Sequence, residues 1–310
     1  MFMCDVFLRV VSVVFKRAHS VIAVALIVLL QTSVSLWAAD TKSEATTSLQ
    51  KFIGLALDYN SKNRANSKYL PPENITFLVK KYYYQIETQV EQLATAKEVR
   101  DLFQKSIEKS KEIFDSDEGG VSQADITKLK LGLSDTLNNI IDLEYGFQTG
   151  KLNLGRLINQ ELRDSNDIIT TDPIPVDFPY TSFDSYLEAK NLTLQVKKII
   201  GKADIASNEI DIKQSTKLTR GNRLLLHKAY LGVESSKAKV VLGKKNRKIT
   251  RALLVSEVAN YDFGIGDSQE LFEAFLIYRR VFSGYLDSIY TLNVAVAELE
   301  KLTDAIHAGN

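Results

Sequence analysis

The chain has 310 residues, 45% hydrophobic and 25% charged, with 39 basic against 38 acidic side chains for a net charge of +1. Such a mixture suits an ordered protein with a real core and excludes a disordered chain, while near-neutrality gives no signal for nucleic acid. One cysteine, Cys4, and three histidines leave metal, disulfide and acid–base chemistry without their usual residues.

Residues 1–38 read as an export signal. A basic stretch with Arg9, Lys16, Arg17 and His19 precedes the apolar run VIAVALIVLL, and small residues follow, with Leu36 and Ala38 at the −3 and −1 positions of a cleavage site. An uncleaved anchor is the alternative reading, since residues 21–39 are nearly long enough to span a bilayer. After cleavage no thiol remains, and His227 and His307 are the only histidines. They are too far apart in sequence, and too poor in neighbouring ligands, to suggest a metal site.

Residues 39–75 predict a short helix around 49–59 followed by the polar loop NSKNRANSKYLPP. The five prolines then set the organisation: Pro71 and Pro72 form one cluster, Pro173, Pro175 and Pro179 the other. Proline costs about 3 kcal/mol inside a helix, so long helices are confined to the two proline-free tracts. The first tract predicts a helical hairpin over 76–165, residues 166–180 a proline-rich linker, and 181–310 a second hairpin with a preceding helix.

Each tract carries heptad-type apolar stripes. In the last arm Leu271, Phe275, Tyr278, Phe282, Tyr285, Ile289, Leu292, Val296 and Leu299 step 4-3-4-3. A second stripe through Ala274, Val281, Ser288, Ala295 and Leu302 runs beside it. Two adjoining stripes predict a helix that packs against more than one neighbour. The same pattern lies 145 positions earlier at Leu129, Leu133, Thr136, Ile140, Leu143, Phe147, Gly150, Leu154 and Leu157. Identical pairs include Gly119 with Gly264, Asp142 with Asp287 and Tyr145 with Tyr290, which reads as a tandem duplication. The first arms, over 76–114 and about 222–261, match with a slip of about two residues. The fold class is therefore all-α: two tandem long coiled-coil hairpins.

The turns DSDEGGVSQAD and NYDFGIGDSQE join the arms. Gly119 and Gly264 suit the left-handed position that ends a helix. Ser122 with Asp125, and Asp267 with Glu270, have the capping-box spacing that restarts one. On residues alone these are competent hairpin turns.

The order of VKKYYYQIETQVEQLATAKE, GGVSQADITKLKLGL and LNLGRLIN, repeated as HKAYLGVESSKAK, YDFGIGDSQELFEAF and VAVAELEKLTD, resembles the TolC family of outer-membrane efflux proteins. The resemblance implies a protomer of a periplasmic α-barrel, a homotrimer in the periplasm or outer membrane of a Gram-negative-type envelope. It also implies a periplasmic adaptor (membrane fusion) protein of an inner-membrane pump as partner. By position, Gly119, Gly120, Val121, Ser122, Asp125, Gly264, Ile265, Gly266, Asp267, Ser268 and Glu270 become the docking tip.

The family's membrane strands have no counterpart here, because residues 209–223, EIDIKQSTKLTRGNR, are too short and too polar for two spans. A periplasmic coiled-coil scaffold that has lost transport is the rival reading. No phosphate loop, nucleophile motif or carboxylate pair is present, so neither enzymatic activity nor a cofactor is expected. The seven cations between Lys237 and Arg251, with no acid among them, read first as a solvated helix face.

Overall fold

A computed structural model describes residues 48–63, 69–116, 120–162, 172–194 and 216–309. Within them the chain forms a short helix α1 (48–62) and a long hairpin of α2 (Pro72–Asp115) and α3 (Gln123–Ile158). A short helix α4 (Phe183–Ala189) follows, then strands β1 (Leu192–Leu194) and β2 (Thr216–Leu218). A second long hairpin of α5 (Arg220–Asp262) and α6 (Ser268–Ala308) completes the order. The signal segment 1–38 lies outside the described residues, as does 195–215.

Local chemistry sets the ends of these helices. Pro72 occupies the first position of α2, where the missing N–H costs nothing and the ring presets φ. α3 begins at a capping box in which Ser122 accepts from the Asp125 N–H and the Asp125 carboxylate accepts from the Ser122 N–H. It ends at Asn159 in the left-handed region, φ 53°. Thr219 and Asp267 cap α5 and α6 through the N–H groups of Asn222 and Glu270. At 44 residues α2 is about 66 Å long. The second arms begin 145 positions apart, at Gln123 and Ser268, whereas the first arms end 147 apart, at Asp115 and Asp262. The two-residue slip is thus taken up in the first turn.

The only sheet among the described residues is β1 with β2, three residues each and parallel, Leu192 opposite Thr216. β2 and the start of α5 occupy the part of 209–223 that is described.

The four long helices pack in the order α3, α2, α6, α5. Each hairpin is antiparallel, and α2 runs antiparallel to α6, so Lys80 meets Glu300 at one end and Phe103 meets Phe275 near the other. α6 spends its wide apolar face on both α2 and α5, as its two stripes predict. α3 touches α6 only lightly, and α3 and α5 do not pack on each other. The result is an open layer with α3 and α5 as its edges.

Among the described residues three larger cores and one small cluster, Leu93, Ala96 and Ile140, run along this layer. Phe52, Ile53 and Ala56 of α1 pack with Val79, Tyr83 and Ile86 of α2 and Leu154 and Leu157 of α3. Phe178, Phe183, Tyr186, Leu192 and Leu218 pack with Leu226, Tyr230 and Val233 of α5 and Ile289, Leu292 and Leu299 of α6. Nearer the turns, Val99, Phe103, Leu129, Leu254, Leu271 and Phe275 join all four helices. The Gln89 amide packs over Gly146, in the space a Cβ there would take.

Glu87 on α2 is 6% exposed, and burial pushes its carboxyl up to about 8 even though the Tyr83 hydroxyl bonds to it. The folded chain therefore holds a proton that the unfolded chain releases in the ordinary carboxylate range. The resulting stability is full below that range and is lost as pH rises through about 8. Glu87→Gln is expected to raise the melting temperature by roughly 3 °C or more at pH 8.5. It should leave the melting temperature nearly unchanged at pH 4, as thermal melts across that range will check.

Candidate functional site

Both turns lie at the same end of the layer. Lys109, near the end of α2, donates to the carbonyls of Tyr261 and Asp262 at 3.2 and 2.8 Å. The Ser110 hydroxyl meets the Tyr261 hydroxyl at 2.5 Å. At the start of the return helices, Lys128 reaches the Gln269 amide oxygen at 3.3 Å.

The second turn is a complete Schellman motif. Gly264 takes φ 73° and donates to the Tyr261 carbonyl at 3.1 Å, while Ile265 donates to the Asn260 carbonyl at 3.0 Å. Gly266 also donates to Asn260, and a Cβ at Gly266 would lie 2.9 Å from the Asn260 Cβ. Close approach explains this second glycine. In the first turn Gly120 holds the left-handed conformation, φ 92°, and Gly119 lies outside the described residues.

The caps differ from one turn to the other. Ser122 and Asp125 bond reciprocally, and the Ser122 hydroxyl also donates to the Asp125 carboxylate at 2.6 Å. These two bonds to Ser122 hold the Asp125 pKa below its usual value. Asp267 accepts from the Glu270 N–H at 2.7 Å, but the Glu270 side chain does not bond back to the Asp267 N–H. The expected second capping box is thus only half made. A return bond would bring two carboxylates together without a hydroxyl between them.

The tip residues are not equally available. Gly120, Ser122, Gly264, Ile265, Asp267 and Glu270 are exposed, Val121, Asp125 and Gly266 are half-buried, and Ser268 is buried. Ser268 follows the cap directly and faces the core, so it offers no surface. The most prominent apolar group is one that the sequence reading passed over: Phe263 is 82% exposed beside Ile265 at 78%. Two large apolar residues in a five-residue turn were the available signal.

A second candidate surface runs along the edges. On α3, Leu131, Tyr145 and Leu152 are exposed at heptad spacing with Leu137 and Ile141 beside them. On α5, Leu224, Leu231, Leu242, Ile249 and Leu253 form a comparable exposed stripe. By contrast α2 and α6 expose one large hydrophobic residue each, Phe114 and Ile277. Contiguous exposed apolar surface of this kind marks interfaces.

Between α3 and α6 lies an open groove of about 550 Å³, lined by Asp135, Asn138, Asp142, Arg279, Arg280 and Asp287. Arg279 pairs with Asp135 across it, and Asp287, its carboxyl pKa raised by burial, accepts from Gln92 at 2.8 Å. Among the described residues no group of His, Cys, Asp and Glu is placed to hold a metal ion, and no helix is long and apolar enough to cross a membrane.

An open layer of two antiparallel hairpins with both turns at one end is a known arrangement. The outer-membrane channel OprN is 10% identical with a TM-score of 0.53, the match covering 83% of this chain and 70% of that one. CusC, solved in a study of its folding and transmembrane channel formation, is 11% identical with a TM-score of 0.51, covering 84% and 73%. No protein-family model matches the chain, and no curated protein matches it in sequence. The chain has the helical fold of the TolC-like outer-membrane channels. Both of these solved proteins are described as channels.

Gly120→Val and Gly264→Val each force a β-branched side chain into the left-handed region, a cost of about 1–2 kcal/mol. Urea denaturation should show that loss for each variant, and the far-UV circular dichroism of the folded protein should stay that of the wild type.

Proposed function

We propose that the protein is a TolC-like efflux or secretion component of the cell envelope. Three copies close into a periplasmic helical tube, and an adaptor protein of an inner-membrane pump docks on its turns. The observation that carries this reading is the open layer. Four helices that bury their faces on one another at the centre leave apolar stripes on both edges, α3 and α5. A head-to-tail contact of α3 with the α5 of the next copy covers both stripes, and a closing rotation makes a ring.

The stripes match in level. Leu131 lies nine residues from Ser122 and Leu253 nine from Asp262; Ile141 and Leu242 lie 19 and 20 residues from the same points, Leu152 and Leu231 30 and 31. With Cys4 changed to serine, Leu131→Cys and Leu253→Cys in one chain should oxidise to a ladder that ends at a closed trimer on denaturing gels. Each single-cysteine variant should stay monomeric. A double variant that stays monomeric favours a self-contained bundle.

Docking is supported by Phe263 and Ile265, which project from the second turn next to the first. Phe263→Asp with Ile265→Asp should abolish co-purification of an adaptor-type partner and leave the thermal melt unchanged, since neither side chain is buried. Binding that survives this change removes the turns from the partner surface.

One observation favours the second reading, a scaffold that kept the fold and lost transport. Only nine residues, 63–71, separate α1 from α2. Two spanning strands need about 9–11 residues each, so that connection has no room for a barrel pair. Fractionation of native membranes separates the two readings, because a channel partitions with the outer membrane and a scaffold with the soluble periplasm.

A further inference from the structure

The two edge helices differ in charge. α3 carries four cations against four carboxylates, and α5 ten against three. Part of the α5 excess fastens the helix in place. Arg247 sits over the Phe282 and Tyr285 rings at 5.1 and 5.0 Å, and Arg251 donates to Glu98 at 2.6 Å. Lys237 pairs with Glu234, and Arg223 with Asp184, each at 3.4 Å.

The remaining cations sort by direction. At about 100° per residue, the exposed Leu224, Leu231, Leu242, Ile249 and Leu253 fall on one line along α5. Arg220, Lys228, Lys239 and Lys245 lie within about 70° of that line, on either side of it, whereas Lys244 and Lys248 lie more than about 110° away. All four flanking cations are exposed and have no acidic partner among the described residues. The α5 acids do not balance them: Glu234 is paired, and Glu257 and Asp262 fall in the last two turns. The apolar line of α3 has one exposed acid beside it, Asp142, so another copy's α3 offers the four cations a single counter-charge.

We propose that in a single copy this face of α5 lies on an anionic lipid surface. A bilayer interface uses both of its components. The aliphatic side chains sink below the headgroups, while lysine and arginine stems run beside them and return their charges to the lipid phosphates. Anionic lipid adds an attraction for each cation held at the surface. A charged polymer, polysaccharide or nucleic acid, uses the cations alone and leaves five large aliphatic groups in water. The 43-residue helix is unbroken and about 64 Å long, so the whole face meets a flat surface at once. No helix among the described residues is long and apolar enough to cross a membrane, so the contact lies along the bilayer surface. The inference goes beyond the tube reading, in which closing the ring exchanges lipid for the α3 edge of the next copy.

The test uses the full chain with Cys4→Ser and with Ile141→Asp and Leu152→Asp, which remove the α3 half of any contact between copies and keep α5 uncovered. An environment-sensitive fluorophore is placed on Leu242→Cys or, for comparison, on Leu131→Cys of α3. With vesicles of phosphatidylcholine and phosphatidylglycerol the α5 label should move to shorter wavelength and brighten, and the α3 label should keep its spectrum. Vesicles of phosphatidylcholine alone should require about tenfold more lipid, or more, for half the change. R220Q/K228Q/K239Q/K245Q should raise the lipid requirement about tenfold or more, with an unchanged melting temperature. K51Q/K105Q/K244Q/K248Q, which removes the same charge away from the face, should raise it less than about threefold. Equal losses in both sets reduce the effect to net charge and overturn the proposal. It is also overturned by an α5 label that stays in water, by equal changes on α3 and α5, or by an equal response to phosphatidylcholine alone. A response to polyglutamate equal to that with vesicles overturns it in favour of an acidic protein. Ring closure is read separately by the Leu131–Leu253 cysteine ladder, so either reading can fail while the other stands.

Discussion

The antiparallel contact between α2 and α6 is what the rest of the molecule hangs on. Each hairpin could form from its own turn and stripes, but only this seam turns two hairpins into one layer. Its apolar part is the edge-to-face pair of Phe103 and Phe275, ring centres 4.8 Å apart. Its polar part fixes register. Gln92 reaches Asp287, the Tyr278 hydroxyl donates to Glu98 at 2.9 Å, and Lys80 reaches Glu300 at 2.6 Å. Sliding one helix by a turn would separate these partners and leave partly buried polar groups unpaired, at about 1–3 kcal/mol each. The register of the seam in turn places the two turns side by side and assigns α3 and α5 to the edges.

The same geometry explains where exposed apolar residues collect. A helix at the centre of a layer has neighbours on both sides and can bury a broad face. A helix at the edge has one neighbour, so half of an equally broad face is left in water. α6 and α5 illustrate the difference: α6 spends its stripes on α2 and α5, whereas among the long helices α5 packs substantially only on α6. The edge stripes are thus a property of the arrangement rather than of any unusual sequence.

Much of the fold was legible because proline and heptad spacing are local signals. The long helices and the slip between first arms could be read directly. Taken as a breaker, Pro72 puts the start of α2 at 76, but the first helical position accepts proline and the helix begins at Pro72. β1 and β2 were invisible, since three residues carry no periodicity. At the turns, the capping residues and Gly264 were readable from chemistry, but the burial of Ser268 and the exposure of Phe263 depend on which way the turn projects. Sequence also counts apolar stripes without saying which of them finds a partner, so the edges appeared only when the helix order was known.

The unequal turns have a consequence for symmetry. The first joins its helices with seven residues, 116–122, and the second with five, 263–267, and only the second presents a large aromatic side chain outward. Duplication would otherwise give each copy two interchangeable ends, and a ring of copies a rim with twice as many equivalent positions as subunits. The two extra residues break that equivalence, so alternate positions on such a rim would differ in loop length and in polarity. A partner docking on the proposed ring would meet two kinds of seat, and its stoichiometry would follow the number of subunits rather than the number of hairpins.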